Sequence, residues 1–336
     1  MRLLATLKAE RYELSHHSYG VVAEIDWATR RVSRQLRLPC ASFRSPSGFM
    51  GPLTGGICTL GGRIYAAMWN YVVEIDAASF QIVNAASSPW MADLHGMDSD
   101  GGSRIYVAAT SVEAVLGLEA ATLAPAWRWG PDHPFLRQGM PSHRVRPFWR
   151  RWSPLDRLFP PSPAPEREYR GMHKQYSPYH HHHLNDVRCF EGSVYAVTKG
   201  WFDADSGSVI RIDPHSGAAE YFVRPGGFRG PHDGVFLDGR FYVTESAANG
   251  VAWREPDGRI ERRTLGLSAP YFVRGLCWSG RSFLVGFTRL RQRSDPALIV
   301  EYPPDFSRPL AVMELEGFYP PEQGAAVHSL VLGPEG

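Results

Sequence analysis

One short phrase recurs six times along this chain, and few folds are open to a chain built that way. It is an apolar strand, a turn, and a second strand that opens on Gly or Ser, Arg and an aromatic or aliphatic residue. The copies begin at Gly55 (GGICTLGGRIYAAMW), His95 (HGMDSDGGSRIYVAAT), His183 (HLNDVRCFEGSVYAVTKG), His232 (HDGVFLDGRFYVTES), Arg274 (RGLCWSGRSFLVGFT) and His328 (HSLVLGPEG). Self-similarity at a period of roughly 40–50 residues marks propellers and solenoids. Each phrase is followed by a third strand, such as YVVEID at 71–76 or SVIRID at 208–213, a turn rich in Asp, Pro, Gly and Ser, and a fourth strand such as AEYFV at 219–223. Four antiparallel strands per repeat make one propeller blade.

The expected fold is therefore all-β, a six-bladed β-propeller spanning 1–336 as one domain. The last copy stops after one strand (AVHSLVL, 326–332), while the N-terminus supplies strands with no leading partner, placed at Arg11–Ser15 and 21–32. Joining the two ends completes the sixth blade and removes exposed sheet edges. One interval is too long. His95 and His183 are 88 residues apart, and the excess, 128–180, has no alternating pattern and is dense in Pro, Arg and aromatics. A seventh blade hidden there is the alternative, but the segment reads better as a lid-like insertion. Over 128–174 it carries ten Arg and Lys against four acids, although the whole chain is only +2.

A propeller sets the first strand of every blade beside one axis, so a residue that opens each copy converges with its equivalents. Histidine opens four of six copies. His95, His232 and His328 align directly. In the fourth-blade copy a gapless alignment puts Asn185 at the same place, and two extra residues put His183 there. Residues two apart on a strand face the same side. His95, His183, His232 and His328 are the candidate ligands of a divalent transition metal, with iron preferred and zinc, copper or manganese also compatible with imidazole. Metal-bound histidines pass their second N–H to a carboxylate or carbonyl, and Asp233, Asp186 and Glu245 stand close enough in sequence to serve. Arg274 takes the equivalent place in a blade without histidine and suits a substrate carboxylate or phosphate. Arg274, Asp233 and Glu245 are the candidate catalytic groups. Phe148, Trp149, Trp152 and Arg150 of the insertion are the candidate substrate lid. His16 and His17 lie outside the repeat position and are expected to be structural or exposed.

The segment YVVEIDAASFQIV at 71–83 resembles the strand–turn–strand of six-bladed NHL, strictosidine-synthase-like and gluconolactonase-like propellers. LNDV at 184–187 is similar to the gluconolactonase and regucalcin group. That resemblance implies a divalent metal held by Asn, Asp and Glu for lactone hydrolysis, with Asn185 matching the Asn. One histidine per inner strand is similar in arrangement to the carotenoid-cleavage oxygenases, where four histidines hold a non-haem iron on the axis.

Other chemistries find no motif: no P-loop, no GxGxxG after a strand, no GxSxG and no HExxH. RVRPFWRRW at 144–152 combines Arg and Trp, but at this net charge nucleic acid is not the expected partner. No apolar run reaches membrane-span length, and the N-terminus lacks a signal-peptide core, so a cytoplasmic location is expected. Cys40, Cys58, Cys189 and Cys277 form no CxxC pair and are expected to be free thiols. The expected function is a metal-dependent enzyme doing oxidative chemistry on an apolar or aromatic small molecule. A metal-dependent lactonase or lyase and a non-catalytic scaffold that binds a protein partner are the alternatives.

Overall fold

The computed structural model describes residues 1–9, 19–39, 54–138, 182–200, 205–267, 271–289, 296–319 and 324–334. They form six four-stranded sheets, each antiparallel throughout, and no seventh. Blade 2 comprises Thr54–Leu60, Arg63–Met68, Val72–Asp76 and Gln81–Ala86. Blade 3 comprises Leu94–Ser99, Arg104–Ala109, Ala114–Glu119 and Pro125–Trp129. Blade 4 comprises Leu184–Phe190, Ser193–Thr198, Gly207–Ile212 and Ala219–Phe228. Blade 5 comprises Pro231–Leu237, Arg240–Glu245, Gly250–Arg254 and Ile260–Thr264, and blade 6 Tyr271–Trp278, Phe283–Arg289, Ala297–Tyr302 and Ala311–Leu315.

Blade 1 joins the two ends of the chain. The C-terminal strand Ala325–Leu332 is its inner strand and pairs antiparallel with Arg2–Ala9, Leu3 opposite Leu332 and Ala9 opposite Ala325. Tyr19–Asp26 and Arg31–Pro39 follow outward. The leading N-terminal strand is thus Arg2–Ala9, whose RLLATLKA buries five consecutive residues. The strand expected at Arg11–Ser15 lies outside the described residues. Burial on both faces replaces alternation with a continuous apolar run, so the period-2 pattern fails where this strand stands.

Six apolar clusters hold the ring, one for each blade-to-blade interface. Leu4, Val22 and Leu38 of blade 1 pack on Ile57, Ile64 and Val73 of blade 2. Leu3, Ala23 and Leu7 of the same blade face Leu284, Ile299 and Leu315 of blade 6 on the other side. Blades 4 and 5 are joined by Val197, Phe228, Phe241 and Val243, beside Phe190 and Phe236 stacked 4.3 Å apart. Each blade is a sheet sandwiched between two others, as a propeller requires. Cys58, Cys189 and Cys277 are free thiols. Burial pushes the Cys277 thiol up to about 12 and keeps it unreactive; Cys40 lies outside the described residues.

Candidate functional site: the axial histidine cluster

Each inner strand departs from its ladder at one place. Register shifts fall between Thr54 and Ile57, Leu94 and Met97, Leu184 and Asp186, His232 and Gly234, and Val273 and Leu276. In blade 1 the partners jump from Ser329 to Val327, passing over His328. A bulge sets residues off the regular pleat and re-aims their side chains. Counting from each hairpin, Gly55, His95, Asn185, His232, Arg274 and His328 occupy equivalent places in blades 2 to 6 and 1.

His183 belongs to a different ring of positions. Asp93, His183 and Gly230 all have left-handed backbones, with φ of 56°, 56° and 55°. Their carbonyls accept equivalent hydrogen bonds, from the N–H groups of Thr110, Lys199 and Ser246. The place opened by His95 and His232 is therefore filled in blade 4 by Asn185, whose Nδ2 donates to the Pro231 carbonyl across the blade boundary at 2.8 Å. The His183 ring nevertheless lies 5.7 Å from the His95 ring, and the His328 ring lies 5.6 Å from the His95 ring. All four histidines are buried.

The histidines have assigned protons. His95 Nδ1 lies 2.9 Å from the Asp93 carbonyl oxygen, and His232 Nδ1 lies 3.1 Å from the Gly230 carbonyl oxygen and 2.8 Å from Ser246 Oγ. A carbonyl oxygen only accepts, so Nδ1 carries a proton in both rings. Ser246 gives its own proton to the Val273 carbonyl. Burial, then the charges of Arg274, Lys199 and His95, holds the His232 imidazole well below its usual range. Burial, then Arg274, His95 and Lys8, does the same to His328. Both rings are neutral at pH 7.

Next along the strands lies a layer of carboxylates that fastens blade to blade. Asp98 accepts from the Cys189 N–H of the next blade at 2.9 Å. Asp186 accepts from Gly234 N–H at 2.7 Å, and Asp233 from Gly275 N–H at 2.8 Å. Asp233, expected as a catalytic group, thus ties blade 5 to blade 6. Glu245 is likewise engaged within its own surroundings, accepting from Arg229 N–H at 2.8 Å and pairing with Arg262 at 3.2 Å. The sequence reading missed Glu113. This buried carboxylate accepts from the His183 and His182 N–H groups at 2.6 and 2.8 Å and sits 3.0 Å from His182 Nδ1. It fastens the chain just ahead of the blade 4 inner strand. A lone Glu after a strand gives no sequence signal for such a role.

Burial raises the Asp186 carboxyl to about 6 despite Arg188 at 2.8 Å. A carboxyl whose folded value exceeds its usual value takes up a proton more readily folded than unfolded. Its contribution to stability therefore grows as pH falls through 6. Asp186→Asn cannot titrate there, so the melting temperature of the wild type minus that of the variant should be larger at pH 5 than at pH 7.5. The expected gain is about 1 kcal/mol. A gap that does not move with pH would mean that this carboxyl is not buried as described.

Among the described residues, no three His, Cys, Asp or Glu side chains are arranged to hold a metal ion. Of the four histidines expected as ligands, His183 and His328 bring their rings beside that of His95, and among the described residues no three donors gather around one point. Phe148, Trp149, Arg150 and Trp152, the expected lid, lie outside the described residues. The described flanks end in Pro125–Trp129 and a short helix, Pro134–Gln138, and resume at His182. An outer fourth strand runs opposite to an inner first strand, so both flanks lie on the face where the histidines enter. A separate cleft, lined by Trp27, Arg30, Ser279, Arg281 and Glu301, lies between blades 1 and 6 near the hairpin turns and away from the histidines. Among the described residues no helix is long and apolar enough to cross a membrane.

No protein-family model matches the chain, and no curated protein matches it in sequence. Solved structures do match its shape. A protein of unknown function from Bacteroides caccae is 12% identical with a TM-score of 0.61, covering 99% of both chains. A chain of a nidogen/laminin complex is 8% identical with a TM-score of 0.60, also over 99% of both. The virginiamycin B lyase of Staphylococcus aureus is 10% identical, covering 90% of this chain and 89% of that one, with a TM-score of 0.44. At these identities the likeness is one of fold, and the chain is a six-bladed β-propeller.

Proposed function

We propose that the protein is an enzyme acting on a small molecule at the histidine end of the propeller axis, with His95 and His232 as the reacting imidazoles. The observation that supports this most is their shared setting. Two blades independently give Nδ1–H to the carbonyl two residues upstream, which orients each ring and leaves proton exchange to Nε2. A neutral, oriented imidazole is suited to take a proton from a bound molecule. Burying four histidines carries a desolvation cost that a purely structural axis avoids with apolar residues.

A divalent transition metal on the same Nε2 atoms is the second reading. The Nδ1-to-carbonyl bond is the support that metal-bound histidines use. The rings of His95, His183 and His328 would then draw together on binding. With iron this becomes oxidative chemistry on an apolar or aromatic molecule, and with zinc or manganese lactone hydrolysis or elimination.

Metal analysis of protein purified without a chelating column separates the readings. It is combined with turnover on a panel of lactones, aryl esters and catechols. On the metal reading, His95→Ala and His328→Ala lose stoichiometric metal, while His215→Ala, in an exposed turn, retains it. On the proton-transfer reading the protein holds little metal, and His232→Ala lowers turnover by about 100-fold or more. A wild type without metal and without turnover on the panel leaves a scaffold and overturns the enzymatic reading.

A further inference from the structure

We infer that the histidine end of the axis is a binding site for the anionic group of a small molecule, a carboxylate or a phosphate, gripped by the Arg274 guanidinium and the His328 ring. The inference rests on the axis being the substrate site and names the class of that substrate. Arg274 takes the ring place in blade 6 that histidine takes in blades 1, 3 and 5, and it is only 7% exposed. Among the described residues its Nε–H has no hydrogen-bond partner, and neither does Nδ1 of His328, 2% exposed. Leaving a buried cationic donor unmatched is costly, and native interiors rarely tolerate it without a ligand or water.

The charges acting on His328 and His232 have one sign. The largest on His328 are Arg274, His95 and Lys8, and on His232 Arg274, Lys199 and His95. Lys8 and Lys199 are the equivalent residues of two blades, at the ends of the second strands. Asp233, Asp186 and Asp93 act on Arg274 at a distance, and no described carboxylate forms an ion pair with it. Asp233 and Asp186 have already committed an oxygen each to backbone N–H groups of the next blade. An incoming negative group is the partner that the Arg274 Nε–H, unmatched among the described residues, is suited to meet. A carboxylate or phosphate meets a guanidinium in the bidentate geometry that Arg favours. A free dication would meet the same guanidinium as a like charge.

Melting and calorimetric titrations test this with inorganic phosphate and with benzoate, each against potassium chloride at matched ionic strength. One of the two anions should stabilise the wild type saturably, and which one does so separates a phosphate from a carboxylate site. Arg274→Gln should weaken that binding by about tenfold or more, the loss expected for a charged hydrogen bond. Should Arg274→Gln fold poorly, His328→Asn should show a smaller loss in the same direction. A rise that does not saturate, or that is equal in wild type and both variants, is a general salt effect and overturns the inference. Binding that depends on Arg274 in a protein without turnover would sink the enzymatic reading and leave this one. Turnover that needs His232, with no response to either anion, would do the reverse.

Discussion

Removal of residues 325–336 should leave a chain with no cooperative unfolding transition. The deleted strand is the inner strand of blade 1 and the seam of the ring. It pairs with Arg2–Ala9 along seven residues and touches the inner strands of blades 6 and 2. Val327 and Leu330 are buried in the cluster between blades 6 and 1, and Val331 packs into the cluster between blades 1 and 2. Burying such side chains is worth about 1.5–3 kcal/mol each. The deletion also strips the hydrogen bonds from one side of Arg2–Ala9, leaving a buried strand as an open edge. Together these losses are comparable with the roughly 5–15 kcal/mol that keeps a domain folded. Circular dichroism melting and gel filtration would read the outcome. A truncated protein that melts as sharply as the wild type would show that blade 1 does not need its C-terminal strand.

Gly96→Ala should be among the most damaging single-methyl changes. Gly96 directly follows the ring residue His95, where the inner strands of blades 3 and 4 come closest. A Cβ there would lie 1.8 Å from Asp186 Oδ1 and 2.6 Å from Asp186 Cα. The Cα is backbone and cannot swing aside, and Asp186 is fixed by Gly234 and Arg188. Overpacking against fixed atoms costs about 3 kcal/mol or more, a drop of roughly 6–10 °C in melting temperature. Gly266→Ala is the control, because its added Cβ meets nothing within 4 Å. Equal melting of the two variants would mean that the inner strands are not packed as closely as described.

The two glycines of blade 2 obey the same constraint. A Cβ on Gly55 would meet the Leu94 carbonyl oxygen at 2.7 Å, and one on Gly56 the Met97 nitrogen at 2.3 Å. In sequence they look like a copy that lacks its histidine. In the fold, blades 2 and 3 approach too closely there for any side chain.

The histidines show how far the repeat carried. Aligned copies identified His95, His232 and His328 as one position, and the bulges at all three agree. They left His183 and Asn185 open, because a strand pattern of period 2 cannot tell residues two apart. The αL backbones of Asp93, His183 and Gly230 decide it for Asn185, and backbone dihedrals are not written in apolar periodicity. The role of Asp233 was also hidden. Next to a histidine in sequence it reads as its partner, yet its carboxylate spans to the neighbouring blade.

What the sequence determined by itself was the local, repeated part: blade number, the joining of the two ends, and the positions that converge on the axis. Each follows from a pattern of strand, turn and strand that every copy states independently. Only the tertiary structure decided which side chains at the axis are spent on holding blades together and which keep an unmatched donor. That division depends on distances between residues 40 to 90 positions apart, set when six sheets close into a ring, and no single repeat contains them.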